Sequence, residues 1–337
     1  MVFKMLREVS CMSNKEKILA CLELNSGKLM SGGYLSKELG VSRTAVWKNI
    51  QGLIDEGYPI ISVANKGYYL DENSDILSEY LIKENLDTKF IGKNLEVHKS
   101  VGSTNDMMKK LARDDSKEGM VLLAEEQTKG RGRRGREFHS PNGKGIYMSL
   151  MLRPDMEPDK ALNITIMAAV AEALVLEEQL GLRPKIKWVN DIFLRDKKVS
   201  GILTEASMEM ESGKLEYVII GIGINVSGSN ESLPDEIKEI ASFVSEFAQV
   251  PVSRNLLAAA ILNKFEDIYM NWDFKDVIRE YKKRSYLEGK EVTVIKGGSE
   301  YGAKVLDIDD KGSLVVEYES GEKDVLSSGE VSVRKRP

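Results

Sequence analysis

The sequence predicts a mixed α+β protein of three parts: a helical N-terminal part, a central mixed sheet with helices, and a C-terminal β part. Three patterns carry this prediction. Apolar residues recur at helical spacing near the N-terminus, short strand-like runs alternate with helical stretches through the middle, and period-two alternation fills the C-terminal part. We place the parts at 1–72, 86–285 and 286–337, with 73–85 as a polar linker.

Composition is that of an ordinary globular protein. The chain has 337 residues, enough for two or three domains, with 42% apolar and 30% charged residues. No apolar run approaches the roughly 20 residues that span a bilayer, and the N-terminus lacks the apolar core of a signal peptide. Cys11 and Cys21 are too few for a disulfide framework. We therefore expect a cytoplasmic protein with no membrane partner.

Charge is distributed unevenly along the chain. The formal net charge is −5, yet residues 1–70 carry nine Lys and Arg against six Asp and Glu. A basic N-terminal part followed by an acidic remainder of the chain indicates separate partners for the two parts.

The N-terminal part has the pattern of a DNA-binding module. Two short helices joined by a Gly-containing turn, the second starting after Ser42, predict a helix-turn-helix. Two strand-like runs around Asn65–Gly67 are typical of the wing of a winged helix. The residues expected to meet DNA are Arg43, Thr44, Trp47, Lys48, Gln51 and Lys66. The alternative is a three-helix packing module with a solvated face. The small positive charge predicts modest affinity for phosphates, so tight operator binding would require a dimer.

The first of three informative stretches in the middle part is "HKSVGSTNDMMKK". Ser103, Thr104 and Asn105 end a strand-like run before a helix that starts near Asp106. Their hydroxyl and amide groups suit hydrogen bonding to a neutral polar ligand. The alternative is a plain N-cap of the following helix.

The second stretch is the arginine loop, "GRGRRGR" at 130–136, between a strand ending at Glu125 and one beginning at Ile146. Glycines let backbone N–H groups approach an anion, and arginines add bidentate donors, which favours a loop that closes over a phosphate. An Arg/Gly-rich nucleic-acid segment would be a longer tail without strands. No GxxxxGK[ST] pattern occurs, so ATP would have to bind in another way.

His98 and His139 are the only histidines and neither lies near a cysteine, which argues against a zinc site or a Ser-His-Asp triad.

The third stretch is "KIKWVNDIFLRDKKVSGIL", followed by the apolar strand "GIGIN". Lys187, Asn190 and Asp191 end one strand, Lys198 precedes another, and Asn225 ends the apolar strand. Lysines at the strand ends of a half-buried sheet are well placed to touch a ligand. The alternative is that they are ordinary turn residues.

Taken together, these stretches resemble the family of bifunctional biotin protein ligases and biotin operon repressors along the whole chain. The motifs that carry the resemblance are "GSTND", "QTKGRGRRGR", "SPNG", "KWVND", "KKVSGIL" and "GIGINV". Phe138 stands where the family commonly has Trp, and Val189 where it commonly has Pro; neither change removes a polar ligand group. The resemblance implies a central domain like that of class II aminoacyl-tRNA synthetases and an SH3-like C-terminal barrel.

The resemblance also implies a two-step reaction. Biotin and ATP would form biotinyl-5′-AMP and pyrophosphate, and biotin would then pass to a lysine of the biotin carboxyl carrier protein of acetyl-CoA carboxylase. Mg²⁺ would take part, with Asp191 orienting either the metal or the acceptor amine. The adenylate would also serve as corepressor for a homodimer on the operator DNA of biotin genes.

The same resemblance assigns residues to these steps. The catalytic candidates are Arg133, Lys187, Asp191 and Lys198. The candidates for biotin binding are Ser103, Thr104, Asn105, Gln127, Arg131, Gly132, Arg133 and Lys198. The candidates for ATP and adenylate binding are Arg136, Asn225 and Arg334. An exposed terminal arginine is the alternative for Arg334.

Two other functions stay open at this point. A lipoate or octanoate ligase shares the fold, although it ordinarily lacks both the arginine loop and a DNA-binding head. A repressor that senses a small ligand without ligase activity would need the head, but not the charged set of Lys187, Asp191 and Lys198.

Overall fold

The structure is a computed structural model that describes residues 13–114, 116–209, 213–296, 298–327 and 330–332. These residues fall into two units, one ending at Glu84 and the other beginning at Asn85. No helix among the described residues combines the length and apolar character that crossing a membrane requires.

The first unit is a helix-turn-helix followed by a hairpin. Its elements are α1 (Asn14–Leu24), α2 (Gly32–Leu39), α3 (Arg43–Asp55), β1 (Ile60–Val63) and β2 (Gly67–Leu70). The helices begin after Ser13, Ser31 and Ser42, whose hydroxyl groups each accept a hydrogen bond from a backbone N–H of the first turn. The strands pair antiparallel, and the helices share a core that includes Leu22 and Ile50. The predicted helix-turn-helix and wing are confirmed.

Residues 73–84 of the predicted linker 73–85 pack onto this unit, although the polar composition of the segment predicts a linker. It contains α4 (Glu79–Glu84), which packs against α1, and Leu77 and Ile82 are buried. The Ser78 hydroxyl donates a hydrogen bond to the Glu23 carboxylate at 2.9 Å. Burial raises the pKa of Glu23 to about 7 in spite of this hydrogen bond.

A mixed sheet organises the second unit. Its strands are β3 (Leu95–His98), β4 (Val121–Ala124), β5 (Gly145–Leu152), β6 (Pro184–Lys187), β7 (Asp191–Leu194), β8 (Lys197–Met208) and β9 (Leu215–Asn225). The strand order is β3-β4-β5-β9-β8-β7-β6, and β3 and β4 are parallel whereas the other neighbouring pairs are antiparallel. The helices of this unit are α5 (Thr104–Arg113), α6 (Ala161–Leu180), α7 (Asp235–Lys238), α8 (Arg254–Asn271) and α9 (Phe274–Lys283). The predicted α+β class is confirmed.

Alternation along β8 gives the central sheet two different faces. Ser200 and Thr204 hydrogen-bond to side chains of α6. Glu205, the next residue along the strand, instead accepts a hydrogen bond from Asn105 of α5 at 2.9 Å. Because successive side chains of a strand point to opposite faces, α6 covers one face and α5 lies on the other.

The C-terminal strands form a second, antiparallel sheet. They are β10 (Glu291–Lys296), β11 (Ser299–Ile308), β12 (Leu314–Tyr318), β13 (Lys323–Leu326) and β14 (Glu330–Ser332), in the order β13-β12-β11-β10-β14. The Trp188 indole, between β6 and β7, donates a hydrogen bond to the Gly312 carbonyl at 2.9 Å and so connects the two sheets. The predicted C-terminal β part is confirmed, and the closure of its strands into an SH3-like barrel stays a prediction.

Glu172 of α6 gives the fold a pH dependence that can be measured. Its side chain is fully buried, and burial raises its pKa from the ordinary 4.5 to about 8 despite the hydrogen bond from Ser200. The Glu172 carboxyl therefore ionises at lower pH in the unfolded chain than in the folded chain. As a result, the contribution of Glu172 to stability falls as pH rises from about 4.5 to about 8. We expect Glu172→Gln to remove this loss.

The measurement is urea unfolding of both chains at pH 5 and pH 8. The free energy of unfolding of the variant minus that of the parent should be larger at pH 8 than at pH 5. The increase should be at most about 1.4 kcal/mol for each pH unit. A difference between the two chains that does not change with pH would contradict a protonated Glu172.

Candidate active site

A cavity of about 590 Å³ lies on the α5 face of the central sheet. Twelve of the predicted site residues line it: Ser103, Thr104, Asn105, Gln127, Arg131, Gly132, Arg133, Arg136, Lys187, Asp191, Lys198 and Asn225. Arg334 lies outside the described residues. Residues from well-separated stretches meet here because the ends of β6, β7, β8 and β9 converge with the N-terminus of α5.

Strand β9 forms the floor of the cavity and orders the groups along it. Asn105 packs over Gly221, where an added Cβ would lie 2.4 Å from Asn105 Oδ1. Phe138 packs over Gly223, where a Cβ would lie 2.6 Å from the ring, and Asn225 ends the strand. At roughly 3.3 Å per residue, Gly221 and Asn225 are about 13 Å apart. An elongated ligand on this floor would meet Asn105 first and Asn225 last.

An ion pair between Lys198 and Asp191 lies midway along the floor. Lys198 Nζ is 2.8 Å from Asp191 Oδ1. Gly201 pairs with Gly223 of the floor, and a Cβ on Gly201 would lie 3.1 Å from Lys198 Nζ. Lys198 lies within β8 rather than before it as predicted, because the hairpin pairing with β7 extends back to Lys197.

An uncharged hydrogen-bonded network occupies the Asn105 end of the floor. Gln127 Oε1 accepts hydrogen bonds from the backbone N–H and the hydroxyl of Thr104, at 2.9 and 3.1 Å. Ser149 Oγ lies 2.7 Å from Thr104 Oγ1 and 2.6 Å from Asn105 Oδ1. Both Thr104 and Asn105 are buried. The network positions neutral donors and acceptors at this end of the cavity.

Ser103 caps α5 and also lines the cavity, so both roles that the sequence allowed for it are present. Its hydroxyl accepts a hydrogen bond from the Asp106 N–H at 3.5 Å and so caps α5, and the residue also lines the cavity. The helix begins at Thr104 rather than near Asp106, because the cap is Ser103 itself.

The arginine loop is held by polar contacts to the sheet and to α5. Arg133 Nη1 donates a hydrogen bond to Asn190 Oδ1 at 3.0 Å, and Asn190 Nδ2 donates to the Ile202 carbonyl at 2.8 Å. Arg131 Nη1 lies 2.5 Å from Asp106 Oδ1. Burial alone would raise the pKa of Asp106, but its hydrogen bond to the Arg131 guanidinium and the nearby positive charges lower it.

Cations outnumber anions around the cavity. Its described lining includes six cationic residues, Arg131, Arg133, Arg134, Arg136, Lys187 and Lys198, and three anionic ones, Glu137, Asp191 and Glu236. A positive cavity with a neutral polar end suits an anion that carries a neutral head group. Nowhere in the described parts of the chain do three or more His, Cys, Asp or Glu residues come together as a metal site.

Residues 234–241 form a wall of the cavity that was not predicted from the sequence. It contributes Pro234, Glu236, Ile237, Ile240 and Ala241 to the cavity. Asn225 Nδ2 donates a hydrogen bond to the Ser242 carbonyl, 3.3 Å away, which ties the end of the floor to this wall. The segment, PDEIKEIA, carries no motif, and charged residues separate its two isoleucines, so its composition does not mark it as part of a site. Phe138, His139 and Trp188 also line the cavity.

In the first unit, the residues predicted to contact DNA lie on α3 and on the hairpin turn. Arg43, Thr44, Trp47, Lys48 and Lys66 are exposed, whereas Gln51 is half-buried. The Trp47 side chain is 52% exposed, although an aromatic ring of this size is usually buried. An exposed, partly basic helix face beside a hairpin fits a recognition helix with a wing.

Comparison with known proteins identifies the class of protein to which this chain belongs. Residues 97–225 match the biotin/lipoate A/B protein ligase family, residues 14–69 an HTH domain, and residues 289–334 the biotin protein ligase C-terminal domain. The biotin protein ligase from Aquifex aeolicus in complex with biotin and ATP has a TM-score of 0.61 and 30% identity, covering 72% of this chain and 100% of that chain. Fold and site therefore define a protein ligase of the biotin/lipoate class with an N-terminal helix-turn-helix.

Full-length relatives narrow this class. The bifunctional ligase/repressor BirA of Bacillus subtilis is 38% identical over 304 residues, which cover 89% of this chain and 93% of that protein. Its counterpart from Escherichia coli is 30% identical over 322 residues, 94% of this chain and 96% of that protein. The chain belongs to the family of bifunctional biotin ligase/repressors.

Gly223 provides the space that the Phe138 ring occupies, which a substitution can test. We expect Gly223→Ala to lower the free energy of unfolding by about 1–3 kcal/mol, because the new methyl group would overlap the ring. Gly102→Ala is the matched control, since a Cβ there would have no neighbour within 4 Å. Urea unfolding of both variants measures the difference.

A second substitution tests whether overlap with the Phe138 ring causes the loss of stability in Gly223→Ala. Adding Phe138→Leu to Gly223→Ala should recover most of the lost stability, because the smaller side chain vacates the contact. A double variant as unstable as the sum of the two single variants would contradict a direct contact between these positions.

Proposed function

We propose that this chain is an ATP-dependent ligase that forms biotinyl-5′-AMP and transfers biotin to a lysine of the biotin carboxyl carrier protein of acetyl-CoA carboxylase. One observation carries the proposal: the neutral network, the Lys198 ammonium and the Asn225 amide follow one another along the β9 floor. Biotinyl-5′-AMP has the same order of groups, with a neutral ureido ring, an acyl phosphate and a nucleoside.

The neutral network is assigned to the ureido ring. Thr104, Asn105 and Gln127 present hydroxyl and amide groups that can donate and accept hydrogen bonds without carrying charge. Ser103 lies beside them, and the loop residues Arg131, Gly132 and Arg133 line the same cavity. A ring whose polar groups are also uncharged loses its hydration here and regains hydrogen bonds in return.

The cations are assigned to the first step. A carboxylate oxygen of biotin attacks the α-phosphorus of ATP, the bond to the β-phosphate oxygen breaks, and pyrophosphate leaves. Both reactants are anions, so fixed positive charge at the point where they meet lowers the barrier. Lys198 lies at the midpoint of the floor, and Arg133, Arg136 and Lys187 line the same cavity.

Asp191 is assigned to positioning rather than to proton removal. Unperturbed carboxyl and lysine ammonium groups differ by about 6.5 pKa units, so full proton transfer from an acceptor lysine would cost about 9 kcal/mol. The structure supports the positioning role, because one carboxylate oxygen of Asp191 is already paired with Lys198 at 2.8 Å.

Mg²⁺ is proposed to enter with ATP. It usually binds through one or two carboxylates together with nucleotide phosphates. The described residues offer single carboxylates such as Asp191 at the cavity, but no cluster of three or more metal-binding side chains. This donor set fits a metal carried by the substrate and not a resident ion.

The Asn225 end of the floor is assigned to the adenine. The amide provides hydrogen-bonding groups for an adenine edge, and the apolar residues of the wall at 234–241 offer a surface against the flat ring. Arg136 is proposed to contact the nucleotide. The role of Arg334 stays a prediction.

We propose in addition that the protein is cytoplasmic and represses biotin genes as a homodimer, with biotinyl-5′-AMP as corepressor. The exposed face of α3 and the hairpin turn support binding to operator DNA. A ligand that binds the dimer-competent form more tightly shifts the monomer–dimer equilibrium by its difference in affinity. Two heads in one dimer would match the two half-sites of a palindromic operator.

Exchange of pyrophosphate into ATP tests the ligase assignment. We expect exchange with biotin, but not with lipoate or without an acid. Lys198→Met should lower the rate by a factor of about 100 or more, because a charge that stabilises the transition state is lost. Lys214→Met, which removes a surface lysine paired with Asp155, is the matched control and should exchange like the parent. Exchange with lipoate alone would assign the chain to the lipoate ligases, and no exchange with any acid would favour a ligand-sensing repressor.

Sedimentation velocity tests the repressor assignment. With biotin and ATP together, the sedimenting species should shift from monomer towards dimer at a protein concentration where the chain alone is monomeric. Biotin without ATP is the control for the adenylate requirement. Equal dimer fractions in every condition would remove the proposed switch.

A further inference from the structure

Four charged side chains anchor the arginine loop to α5 and β8. We call Asp106, Lys109, Arg131 and Glu205 the anchoring cluster. Arg131 lies 2.5 Å from Asp106 and 3.7 Å from Glu205, measured between guanidinium nitrogens and carboxylate oxygens. Lys109 Nζ lies 2.7 Å from Glu205 and 3.4 Å from Asp106. The two positive and two negative charges balance, so the loop is attached at Arg131 by a closed set of ion pairs.

Glu205 is the member of this cluster that also contacts the neutral network of the cavity. Its Oε2 accepts a hydrogen bond from Asn105 Nδ2 at 2.9 Å, while its Oε1 faces Lys109 and Arg131. Asn105 Oδ1 in turn lies 2.6 Å from the Ser149 hydroxyl. A single carboxylate therefore connects the network assigned to the ureido ring with the loop.

The two contacts of Glu205 differ in how firmly they are held. Asn105 is 4% exposed, whereas the side chain of Arg131 is 43% exposed. Ion pairs at exposed side chains contribute little stability, so the loop end of the connection opens at small cost. The Asn105 end is buried, where an unpaired amide would be costly, and is expected to persist.

We propose that Glu205 is a positioning residue that orients Asn105 for the acid substrate and, through Arg131, holds the arginine loop over the cavity. Its position follows from the fold, because the alternation of β8 turns Glu205 towards α5 while its neighbour Thr204 faces α6. Binding of the acid and closure of the loop are thereby connected through one carboxylate. The assignment to an acid and its adenylate rests on the proposed function.

Three variants separate the two contacts. Glu205→Gln keeps an oxygen for Asn105 but removes the charge that pairs with Arg131 and Lys109. Glu205→Ala removes both contacts. Asp106→Asn weakens only the loop side of the cluster. Glu178→Gln is the control, because it neutralises a surface glutamate of α6 that pairs with Lys264 on the other face of the sheet.

The first measurement needs no ligand: the rate at which trypsin cuts the folded chain within 130–136. We expect Glu205→Gln, Glu205→Ala and Asp106→Asn to be cut about two- to fivefold faster than the parent, and Glu178→Gln at the parent rate. Because this readout is independent of biotin, it tests the anchoring even if the ligase assignment fails. Parent-like cleavage in both Glu205→Gln and Asp106→Asn would overturn the proposal.

The second measurement compares the Kd for biotin with the rate of release of biotinyl-5′-AMP. Glu205→Gln and Asp106→Asn should release the adenylate several-fold faster with little change in the Kd for biotin, because only the loop is loosened. Glu205→Ala should in addition raise the Kd for biotin about tenfold, since Asn105 loses its partner. Glu205→Ala with the parent's Kd for biotin would overturn the positioning role, as a residue that only stabilises the fold would not divide the two readouts in this way.

Discussion

The pairing of β8 with β9 is the constraint on which the site depends. In this register Gly201 lies beside Gly223, and the glycines of β9 form the floor of the cavity. A slip by one residue would exchange the two faces of each strand, so that isoleucines would replace the glycines on the floor. The neutral network, the Lys198–Asp191 pair and Asn225 keep their order because they are attached to this floor.

Three of the positively charged side chains at the cavity are held by polar partners. Arg131 pairs with Asp106, Arg133 donates to Asn190, and Lys198 pairs with Asp191. Fixing the cations in advance spares the reorganisation that mobile side chains would need when two anions meet. The partners also offset the desolvation that burial of charge imposes. Carboxylate and amide side chains therefore position these cations, and Glu205 is a second carboxylate beside Arg131 of the loop.

Motifs made the site predictable where residue type and neighbours in sequence define the role. Ser42 and Ser103 precede helices as caps, and the arginine loop stands out by composition alone. The partners of these groups were not predictable, because they lie far away along the chain: Asn105 meets Glu205 across 100 residues, and Arg133 meets Asn190 across 57. Such pairs exist only once the strands have been placed side by side.

By itself, the sequence determined the order of the parts, the α+β class and the helix-turn-helix with its wing. It also determined the residue types of a site for an anionic ligand that carries an uncharged polar group. These follow from local periodicity, from capping and from motifs, which act over a few residues. Only the tertiary structure decided that residues 73–84 pack onto the helix-turn-helix unit and that the wall at 234–241 lies at the Asn225 end of the floor. It also decided that Glu205 contacts both Asn105 at the cavity and Arg131 of the loop. Each of these depends on contacts between distant segments, whose free energy is set by packing and burial and leaves no regular pattern in the sequence.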